Sequence, residues 1–525
     1  MKYLFLILVA VSISAVGQQL KQTDIAEITW GEELKMKRGS NYKEVIFANS
    51  QNIFLSKWIK SKLYIEQRTT SMTVVTDQKV AFQLDNINLR FEGLFSFGDN
   101  FIAMGSYSDK KEKVNSLYYK VISKQDLSNQ SSWENVGNIT FEKKRRDGDF
   151  NYTISSDSTQ LLMYFSQAFS GRDTPEKFGF KIFNNKMKLQ WSKDIELKYN
   201  EELFIVKSFK VDNRGNAYIL GKELIETGSE KKSEKYNDVY HILEYSEEGD
   251  YQDYEVTLDD RNIKDITIAI NQAGDIVCAG FYSENGSFSK GIKGTFYYVI
   301  DGKTKKVKTT NFKELGEDFI TEDWSDRQIA KAKKKEAKKG QAIEAYEFDL
   351  KDLVLKSDGG AIMLAEQYYV RISTTTTTSA NGVPATRTTY HYYYNDVYVI
   401  DINPEGDIQW ASRVDKYQHS TDDGGYRSSY TLHVSDNLYL IYNMRARDHY
   451  EREVFKTMSR AEKKSYLTII AAVNPAGEVK KELLINNSKE EVYVVPKLCS
   501  QFSDSKTFIY TNKGAKVTLG ILEFK

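Results

Sequence analysis

The stretch YYYNDVYVIDINPEGDIQWASRVD, residues 392–415, has the pattern of two β-strands joined by a tight turn. β-branched residues such as Val397 recur in its first half, as is typical of a strand. The Asn-Pro-Glu-Gly sequence at 403–406 contains the residue types that a tight turn requires. Ile408 and Trp410 then alternate with polar residues, which is the pattern of a second, half-buried strand. The stretch therefore predicts a β-hairpin.

Eight segments of the chain share one order of features: a strand, a tight turn rich in Asp, Asn or Gly, an apolar strand, a longer connection and a hairpin. The tight turns lie at residues 48–52, 97–100, 156–158, 212–215, 271–274, 356–359, 435–437 and 503–505. Four strands per segment, repeated at intervals of roughly 50 to 85 residues, are typical of β-propeller blades. We therefore predict an all-β, eight-bladed β-propeller, with seven blades as the alternative if residues 42–85 are irregular.

The last segment contains only three strand patterns, at residues 492–499, 506–511 and 517–524. Near the start of the chain, residues 25–34 (IAEITWGEEL) have the pattern of a strand with no partner nearby. Pairing this strand with residues 517–524 would complete the last blade and remove the exposed sheet edges of an open array. We predict that the ring closes in this way.

Two stretches resemble known propeller repeats. The sequence DNRGNAYILG, residues 212–221, resembles the NHL and related repeats, and NPEGDIQWASRVD, residues 403–415, resembles the outer strands of PQQ-type quinoprotein repeats. The resemblance extends over nearly the whole mature chain and implies the propeller fold. It is generic among propeller families, so it implies no catalytic site.

Residues 1–17 combine a lysine, an apolar run from Leu4 to Val11 and small residues at the end, which is the pattern of a secretory signal peptide. The run is shorter than the roughly 20 apolar residues of a transmembrane helix, and no lipidation cysteine follows it. We expect the mature chain, 18–525, to be a single propeller domain that is exported, soluble, not inserted in a membrane, and periplasmic or secreted.

Lysine plus arginine equals aspartate plus glutamate at 73 each, so the overall charge does not favour nucleic acid as a partner. The two cysteines, Cys278 and Cys499, lie in apolar strand patterns, and we interpret them as buried free thiols; a disulfide is the alternative. No metal-binding or cofactor-binding motif occurs. We therefore predict no metal and no cofactor. The five histidines are scattered through the chain: His241, His391, His419, His433 and His449.

Two insertions are long. Residues 311–346 contain an Ala, Lys and Glu run with a capping pattern at Ser325 and a stop at Gly340, which predicts a surface helix. Residues 370–394 have threonine-rich arms around an Asn-Gly turn, which predicts a hairpin that extends past the rim of blade 6. The hairpin is interpreted as a recognition arm or as a solvated decoration. A disordered loop is the third alternative for the threonine run.

In a propeller, the connections between second and third strands and those between blades emerge on one face, because each strand reverses direction. The long connections here belong to these two classes, so one face carries the elaboration, and function commonly lies on such loops. We name it the loop-rich face. Candidate binding residues on it are Arg371, Arg387, His391, Tyr392, His419, Tyr426, Arg427, Tyr442, Arg445 and Arg447.

These observations predict an exported propeller that binds a protein or a glycan of the cell envelope through the loop-rich face, without catalysis. Tyrosine and arginine suit such contacts because they combine flat apolar surface with hydrogen-bonding groups. One alternative is a carbohydrate-active enzyme, a polysaccharide lyase or glycosidase, with a site at the axial mouth of that face. Another is an envelope-assembly scaffold.

Overall fold

The computed structural model describes residues 20–141, 147–166, 174–226, 236–249, 251–284, 292–316, 330, 333–334, 348–378, 384–421, 429–434, 437–450 and 452–525. The predicted signal peptide and the Asn-Gly turn of the predicted hairpin lie outside these residues. Three residues of the predicted helix, Ala330, Lys333 and Lys334, are described and are helical.

The chain forms an eight-bladed β-propeller of antiparallel sheets, as predicted. At the amino-terminal end lie β1 (Leu20–Gln22), β2 (Ala26–Trp30) and β3 (Leu34–Lys35). Blade 1 consists of β4 (Ser40–Ala48), β5 (Asn52–Ile59), β6 (Lys62–Thr69) and β7 (Val74–Val80). After the short ribbon of β8 (Gln83–Leu84) and β9 (Ile87–Asn88), blade 2 consists of β10 (Arg90–Phe97), β11 (Asn100–Asp109), β12 (Val114–Ser123) and β13 (Glu134–Thr140). Blade 1 is regular, so the seven-bladed alternative is wrong.

Blade 3 consists of β14 (Asp149–Ile154), β15 (Gln160–Ser166), β16 (Pro175–Asn184) and β17 (Leu189–Asn200). Blade 4 consists of β18 (Phe204–Val211), β19 (Ala217–Glu226), β20 (Tyr236–Tyr245) and β21 (Tyr251–Val256). Blade 5 consists of β22 (Arg261–Ile270), β23 (Ile276–Glu284), β24 (Gly294–Ile300) and β25 (Val307–Glu314). Blade 6 consists of β26 (Phe348–Leu355), β27 (Ala361–Thr378), β28 (Pro384–Ile402), β29 (Ile408–Val414) and the extra strand β30 (Gln418–Thr421).

Blade 7 consists of β31 (Ser429–Val434), β32 (Asn437–Arg445), β33 (Tyr466–Val473) and β34 (Val479–Asn486). Short helices α1 (Ala446–His449) and α2 (Arg452–Thr457) and a 3-10 turn (Glu462–Lys464) follow β32, and α3 (Asn487–Glu490) joins blades 7 and 8. Blade 8 contains β35 (Tyr493–Val494), a 3-10 turn (Pro496–Leu498), β36 (Ser500–Ser503), β37 (Lys506–Lys513) and β38 (Lys516–Phe524). Its predicted first strand, 492–499, is thus interrupted where a proline begins the 3-10 turn and offers no N–H to a sheet.

The turn at 403–406 forms as its sequence predicts. The N–H of Gly406 donates to the carbonyl of Asn403 at 2.9 Å, and the N–H of Asp407 donates to the Asn403 side chain at 2.7 Å. Gly406 has a φ of 90°, which glycine adopts without a steric penalty. The flanking strands β28 and β29 then pair in register from Val397 opposite Val414.

The ring closes through the amino-terminal strand, as predicted. Strand β2 pairs with β38 in antiparallel register, with Ala26 opposite Phe524 and Trp30 opposite Gly520. A side chain at Gly520 would lie 2.6 Å from the Trp30 ring, so the close approach of the two strands requires glycine there. Ile28, at the centre of β2, is fully buried. The first and last described strands are therefore parts of one sheet.

Outer-strand tryptophans connect each of two blades to the next. The indole N–H of Trp410 in blade 6 donates to the carbonyl of Pro475 in a turn of blade 7, at 2.9 Å. The indole of Trp191 in blade 3 donates to the carbonyl of Gly215 in a turn of blade 4, at 3.0 Å. The recurrence of tryptophan late in these hairpins is explained by this contact.

Cys278 and Cys499 are buried and free, which confirms the interpretation that the fold does not depend on a disulfide. Burial raises the pKa of Cys499 to about 12, so its thiol is not a nucleophile near neutral pH. Among the described residues, no helix has the length and apolar character needed to cross a bilayer.

Candidate functional site

A long two-stranded arm rises from blade 6 on the loop-rich face. The inner strand β26 pairs with β27 only as far as Gln367, opposite Phe348. Beyond that point β27 and β28 continue to pair with each other, from Tyr368 opposite Tyr394 to Thr378 opposite Pro384. At about 3.3 Å per residue, these eleven pairs extend roughly 35 Å. We call this element the arm, and it confirms the predicted protruding hairpin.

The base of the arm is stiffened by cross-strand tyrosines. The rings of Tyr369 and Tyr393 stack with centroids 4.6 Å apart and planes 14° apart, and those of Tyr368 and Tyr394 lie 4.9 Å apart. The guanidinium of Arg371 lies 5.2 Å from the Tyr369 centroid and 5.5 Å from that of Tyr393. Such cross-strand and cation–π contacts stabilise the pairing of β27 with β28 where these strands leave the rest of the blade.

One side of the arm brings two predicted binding residues together. Strand β30 adds to β28 with His419 opposite Tyr393, and this places His391 Nδ1 3.1 Å from His419 Nε2. The two imidazoles are nearly parallel, and Ser373 Oγ lies 2.9 Å from the other nitrogen of His391. A hydrogen bond between two imidazoles requires at least one of them to be neutral, because one nitrogen must accept.

The opposite side of the arm is apolar and exposed. Here Val370 is paired with Tyr392 and Ile372 with Tyr390. Val370, Ile372 and Tyr390 are 40%, 64% and 44% exposed. Contiguous apolar side chains in solvent commonly mark a contact site. We call these four residues the apolar strip.

A buried lysine anchors the arm at its root. The side chain of Lys416 is fully buried, with Nζ 2.5 Å from Glu366 Oε1 and 3.0 Å from the carbonyl of Tyr394. Burial lowers the pKa of Lys416, although the neighbouring Glu366 carboxylate opposes this shift. Lys351 contacts the second oxygen of Glu366 at 3.1 Å. Lys416 stands where β28 changes partner from β29 to β30, so this ion pair holds the third strand of the arm's base in place.

A cleft between blades 7 and 8 opens on the same face, with a volume of about 320 Å³. It is lined by Asn443, Tyr466, Asn487, Tyr493, Asn512, Lys513 and Gly514. Arg445, at the end of β32, donates from Nε to the Tyr466 hydroxyl at 3.2 Å. We call this feature the blade 7/8 cleft. Sequence reasoning missed it, because its residues come from two blades and from separate strands.

Most of the predicted binding residues that the structure describes lie on this face. Arg371, His391, Tyr392 and His419 belong to the base of the arm. Arg445 lies beside the blade 7/8 cleft, and exposed Arg447 lies in α1. The backbone of Arg387 is placed in β28, opposite Thr375. Tyr426 and Arg427 lie outside the described residues.

The prediction that Tyr442 lies on the loop-rich face is wrong. It is fully buried, because the central part of β32 lies between blades and is covered on both of its faces. Its hydroxyl donates to the carbonyl of Asp415 at 3.2 Å. Tyr442 therefore contributes to the core of blades 6 and 7 and is removed from the candidate surface.

The axial cavity, of about 830 Å³, opens on the opposite side from the long loops. It is lined by the carboxyl-terminal ends of inner strands in blades 3 to 6 and by their short turns. Two of its lining residues are carboxylates, Asp212 and Asp352. Asp212 accepts hydrogen bonds from the N–H groups of Arg214 and Asn216, both at 2.9 Å, so it stabilises its own turn. This arrangement does not match the axial site that the enzyme alternative predicts for the loop-rich face.

A second group missed by sequence reasoning is a buried histidine between blades 3 and 4. His241 Nδ1 lies 2.9 Å from Asp253 Oδ1, and the hydroxyl of Tyr199 donates to the other oxygen of Asp253 at 2.7 Å. Burial favours the neutral imidazole, but Asp253 and Glu223 outweigh it and raise the pKa of His241. His241 is only 5% exposed. Because Tyr199 belongs to blade 3 and Asp253 to blade 4, this buried network joins the two blades. Among the described residues, no three His, Cys, Asp or Glu side chains are arranged to bind a metal.

One carboxyl group on the loop-rich face, that of Glu176, has a pKa near neutral pH. Burial, and then the charge of Glu201, raise the pKa of Glu176 to about 7. Glu201 is fixed nearby, since it accepts a hydrogen bond from the Thr174 hydroxyl at 2.9 Å. A carboxyl that keeps its proton beside a second carboxylate is a property of general acids in glycosidases.

The raised pKa of Glu176 predicts a pH-dependent stability. The folded state binds the proton more tightly than the unfolded state, so stability falls as pH rises from about 4.5 to about 7. Since the side chain is partly exposed, we expect Glu176→Gln to gain about 1 kcal/mol at pH 8 and almost nothing at pH 5. Urea denaturation at both pH values measures this, with exposed Glu112→Gln as the control. An equal effect at pH 5 and pH 8 would contradict the assignment.

No protein-family model matches the chain, and no curated protein matches it. Among solved structures, the WD40 domain of SCAP from fission yeast matches 94% of this chain and 96% of its own, at 8% identity and a TM-score of 0.36. The β-propeller domain of the Trilobed protease from Pyrococcus furiosus matches 86% and 97%, at 10% identity and a TM-score of 0.35. The α-L-arabinanase of Penicillium chrysogenum matches 55% and 99%, at 12% identity and a TM-score of 0.28.

Proposed function

We propose that the protein is an exported, non-catalytic propeller that binds a protein or a glycan of the cell envelope through its loop-rich face. The arm is its main recognition element. The observation that carries this proposal is the apolar strip, in which Val370, Ile372 and Tyr390 are exposed to solvent on a stiffened ribbon and Tyr392 is half-buried. Isolated apolar residues on a surface need no explanation, whereas paired ones at 40% to 64% exposure favour a contact role.

The construction of the arm's base supports recognition. A surface that is already ordered loses less conformational entropy on binding than a flexible one. The stacked Tyr369 and Tyr393, the added strand β30 and the buried Lys416 all restrict the arm where it meets the ring. The strip therefore stands on a support that is organised before any partner arrives.

The sequence of residues 1–17, which has the pattern of a signal peptide, supports the export that we propose. The side chains present on the loop-rich face support the partner class that we propose. Tyrosine, histidine and arginine offer aromatic faces and hydrogen-bond donors, which suit both sugars and protein surfaces.

The experiment measures binding of the chain 18–525 to a cell-envelope preparation, with the bound material analysed for protein and for sugar. The test variant is Ile372→Asp with Tyr390→Asp, which places charge in the strip without touching the core. We expect binding to weaken about tenfold or more, as for the loss of a central apolar contact. The control is Val75→Asp with Val307→Asp, at residues 53% exposed on outer strands of other blades.

Unchanged binding of the arm variant, or equal weakening by the control, would contradict the role of the arm. Failure of the unaltered chain to bind any envelope component would contradict the proposal as a whole. Circular dichroism of each variant reports whether the fold is retained, and retention is expected because all four substituted side chains are exposed.

The second candidate function is a carbohydrate-active enzyme, a lyase or glycosidase, and one observation favours it. Glu176, protonated near neutral pH beside Glu201, has the chemistry of a general acid next to a carboxylate. A glycan array read for cleavage as well as binding separates the two functions. Cleavage that Glu176→Gln abolishes would replace our proposal with the enzyme.

A further inference from the structure

The blade 7/8 cleft has walls of tyrosine and a floor of amide side chains. Tyr466 begins β33 on one side, and Tyr493 begins β35 on the other. Asn512 stands directly opposite Tyr493 in the pairing of β35 with β37, so it extends the second wall. Both tyrosines are half-buried, which leaves part of each ring accessible. The cleft thus offers two apolar faces and an amide close to one another.

The floor of the cleft is a buried polar network. Asn487 Nδ2 donates to Asn443 Oδ1 at 3.0 Å, and Thr468 Oγ lies 2.8 Å from the side-chain oxygens of both asparagines. Asn443 also donates from Nδ2 to the carbonyl of Val494 at 2.8 Å. Because Val494 follows Tyr493 in the chain, the hydrogen bond from Asn443 also holds Tyr493 in position. Buried networks of this kind hold a site in one arrangement.

The charges around the cleft are compensated. Lys513 is the only charged residue among the lining residues that the structure describes, and its Nζ lies 2.5 Å from Glu491. Arg445, behind Tyr466, lies 5.8 Å from that ring's centroid and donates to its hydroxyl. Glu491 therefore offsets the charge of Lys513, so the cleft has no net positive charge that would attract an anion, and it favours an uncharged ligand.

We propose that the blade 7/8 cleft binds an uncharged sugar residue. A sugar ring combines C–H faces, which pack on tyrosine, with hydroxyl groups, which bond to amides such as that of Asn512. A volume of 320 Å³ lies at the lower end of the range of about 300 to 1,000 Å³ for small-ligand pockets. The inference rests on the proposed function in one respect: it names a glycan as the envelope ligand and gives it a second contact site beside the arm.

The test uses the chain 18–525 and a panel of glucose, galactose, mannose, N-acetylglucosamine and cellobiose, with glucuronate as the charged comparison. Ligand-observed NMR identifies binders, and titration gives the dissociation constant. We expect at least one neutral sugar to bind, and both Tyr493→Ala and Asn512→Leu to weaken it about tenfold, since each removes one ligand contact. Tyr251→Ala, at a tyrosine 40% exposed on the outer strand of blade 4, is the matched control.

Each outcome decides the inference. Absence of binding by every neutral sugar, preference for glucuronate, or binding unaffected by both cleft variants would overturn it. Asn512→Leu keeps the test valid if Tyr493→Ala does not fold, because leucine has the same branched shape as asparagine. The arm variant Ile372→Asp with Tyr390→Asp is expected to retain sugar binding. A chain that binds the envelope through the arm but binds no sugar would therefore refute the cleft and leave the proposed function standing.

Discussion

Replacing Lys416 by methionine is expected to lower the free energy of unfolding by about 3 to 5 kcal/mol, because it leaves the buried carboxylate of Glu366 without its closest cation. The side chains of Lys416 and Glu366 are both essentially inaccessible to water, and Lys416 Nζ lies 2.5 Å from Glu366 Oε1. Lys351 remains as a partner of Glu366 at 3.1 Å but is partly exposed, so it compensates only in part. Urea denaturation followed by circular dichroism measures the change.

Two further variants test the cause. The double variant Lys416→Met with Glu366→Leu removes both charges, so it is expected to recover most of the lost stability, as paired apolar replacements of buried ion pairs do. Lys177→Met breaks an exposed ion pair with Glu196 and is expected to cost less than about 1 kcal/mol. A double variant that is no more stable than Lys416→Met would show that the lysine acts through packing and not through charge.

Replacing Ile28 by alanine is expected to cost about 3 kcal/mol, because a fully buried side chain in the closing strand is cut back and leaves a cavity. Ile28 lies opposite Leu522, which is also fully buried. The substitution therefore removes packing between β2 and β38, the strands that close the ring. Amide hydrogen exchange should increase in β37 and β38 more than in blade 4, since the closing sheet is the one weakened.

The neighbouring Thr29→Ala is the control, since Thr29 lies in the same strand and is only partly buried. It is expected to change the free energy of unfolding by less than about 0.5 kcal/mol. Equal exchange in all blades of the Ile28→Ala variant would contradict a special role for the closure.

The sequence predicted the features that depend on local chemistry. Tight turns need particular residues at particular positions, so the turn at 403–406 and its repeats are enough to identify the blades. The closure at β2 and the arm could also be predicted, because a strand pattern without a nearby partner and a long paired threonine run are both visible in the chain.

What the sequence did not predict depends on contacts between distant segments. Nothing in the residues around Lys416 indicates that it meets Glu366. The burial of Tyr442, in contrast, could have been predicted, because the continuous apolar run from Leu438 to Tyr442 is typical of a strand covered on both faces. The pairing of β30 with β28 could not be predicted, because the four residues of β30 are too few to show the alternating pattern of a strand. The blade 7/8 cleft and the Glu176 pair could not be predicted either, since proximity across a ring leaves no spacing to detect.

The position of β2 has a consequence for biosynthesis. A ribosome makes this strand before blades 1 to 7 and its partner β38 after them, so blades 1 to 7 have all their described strands before the eighth can form. Until then an unpaired strand and an unfinished sheet edge are both exposed on the nascent chain, and such edges promote aggregation. We therefore expect the growing polypeptide to need a chaperone for longer than a propeller whose blades are each continuous in the chain.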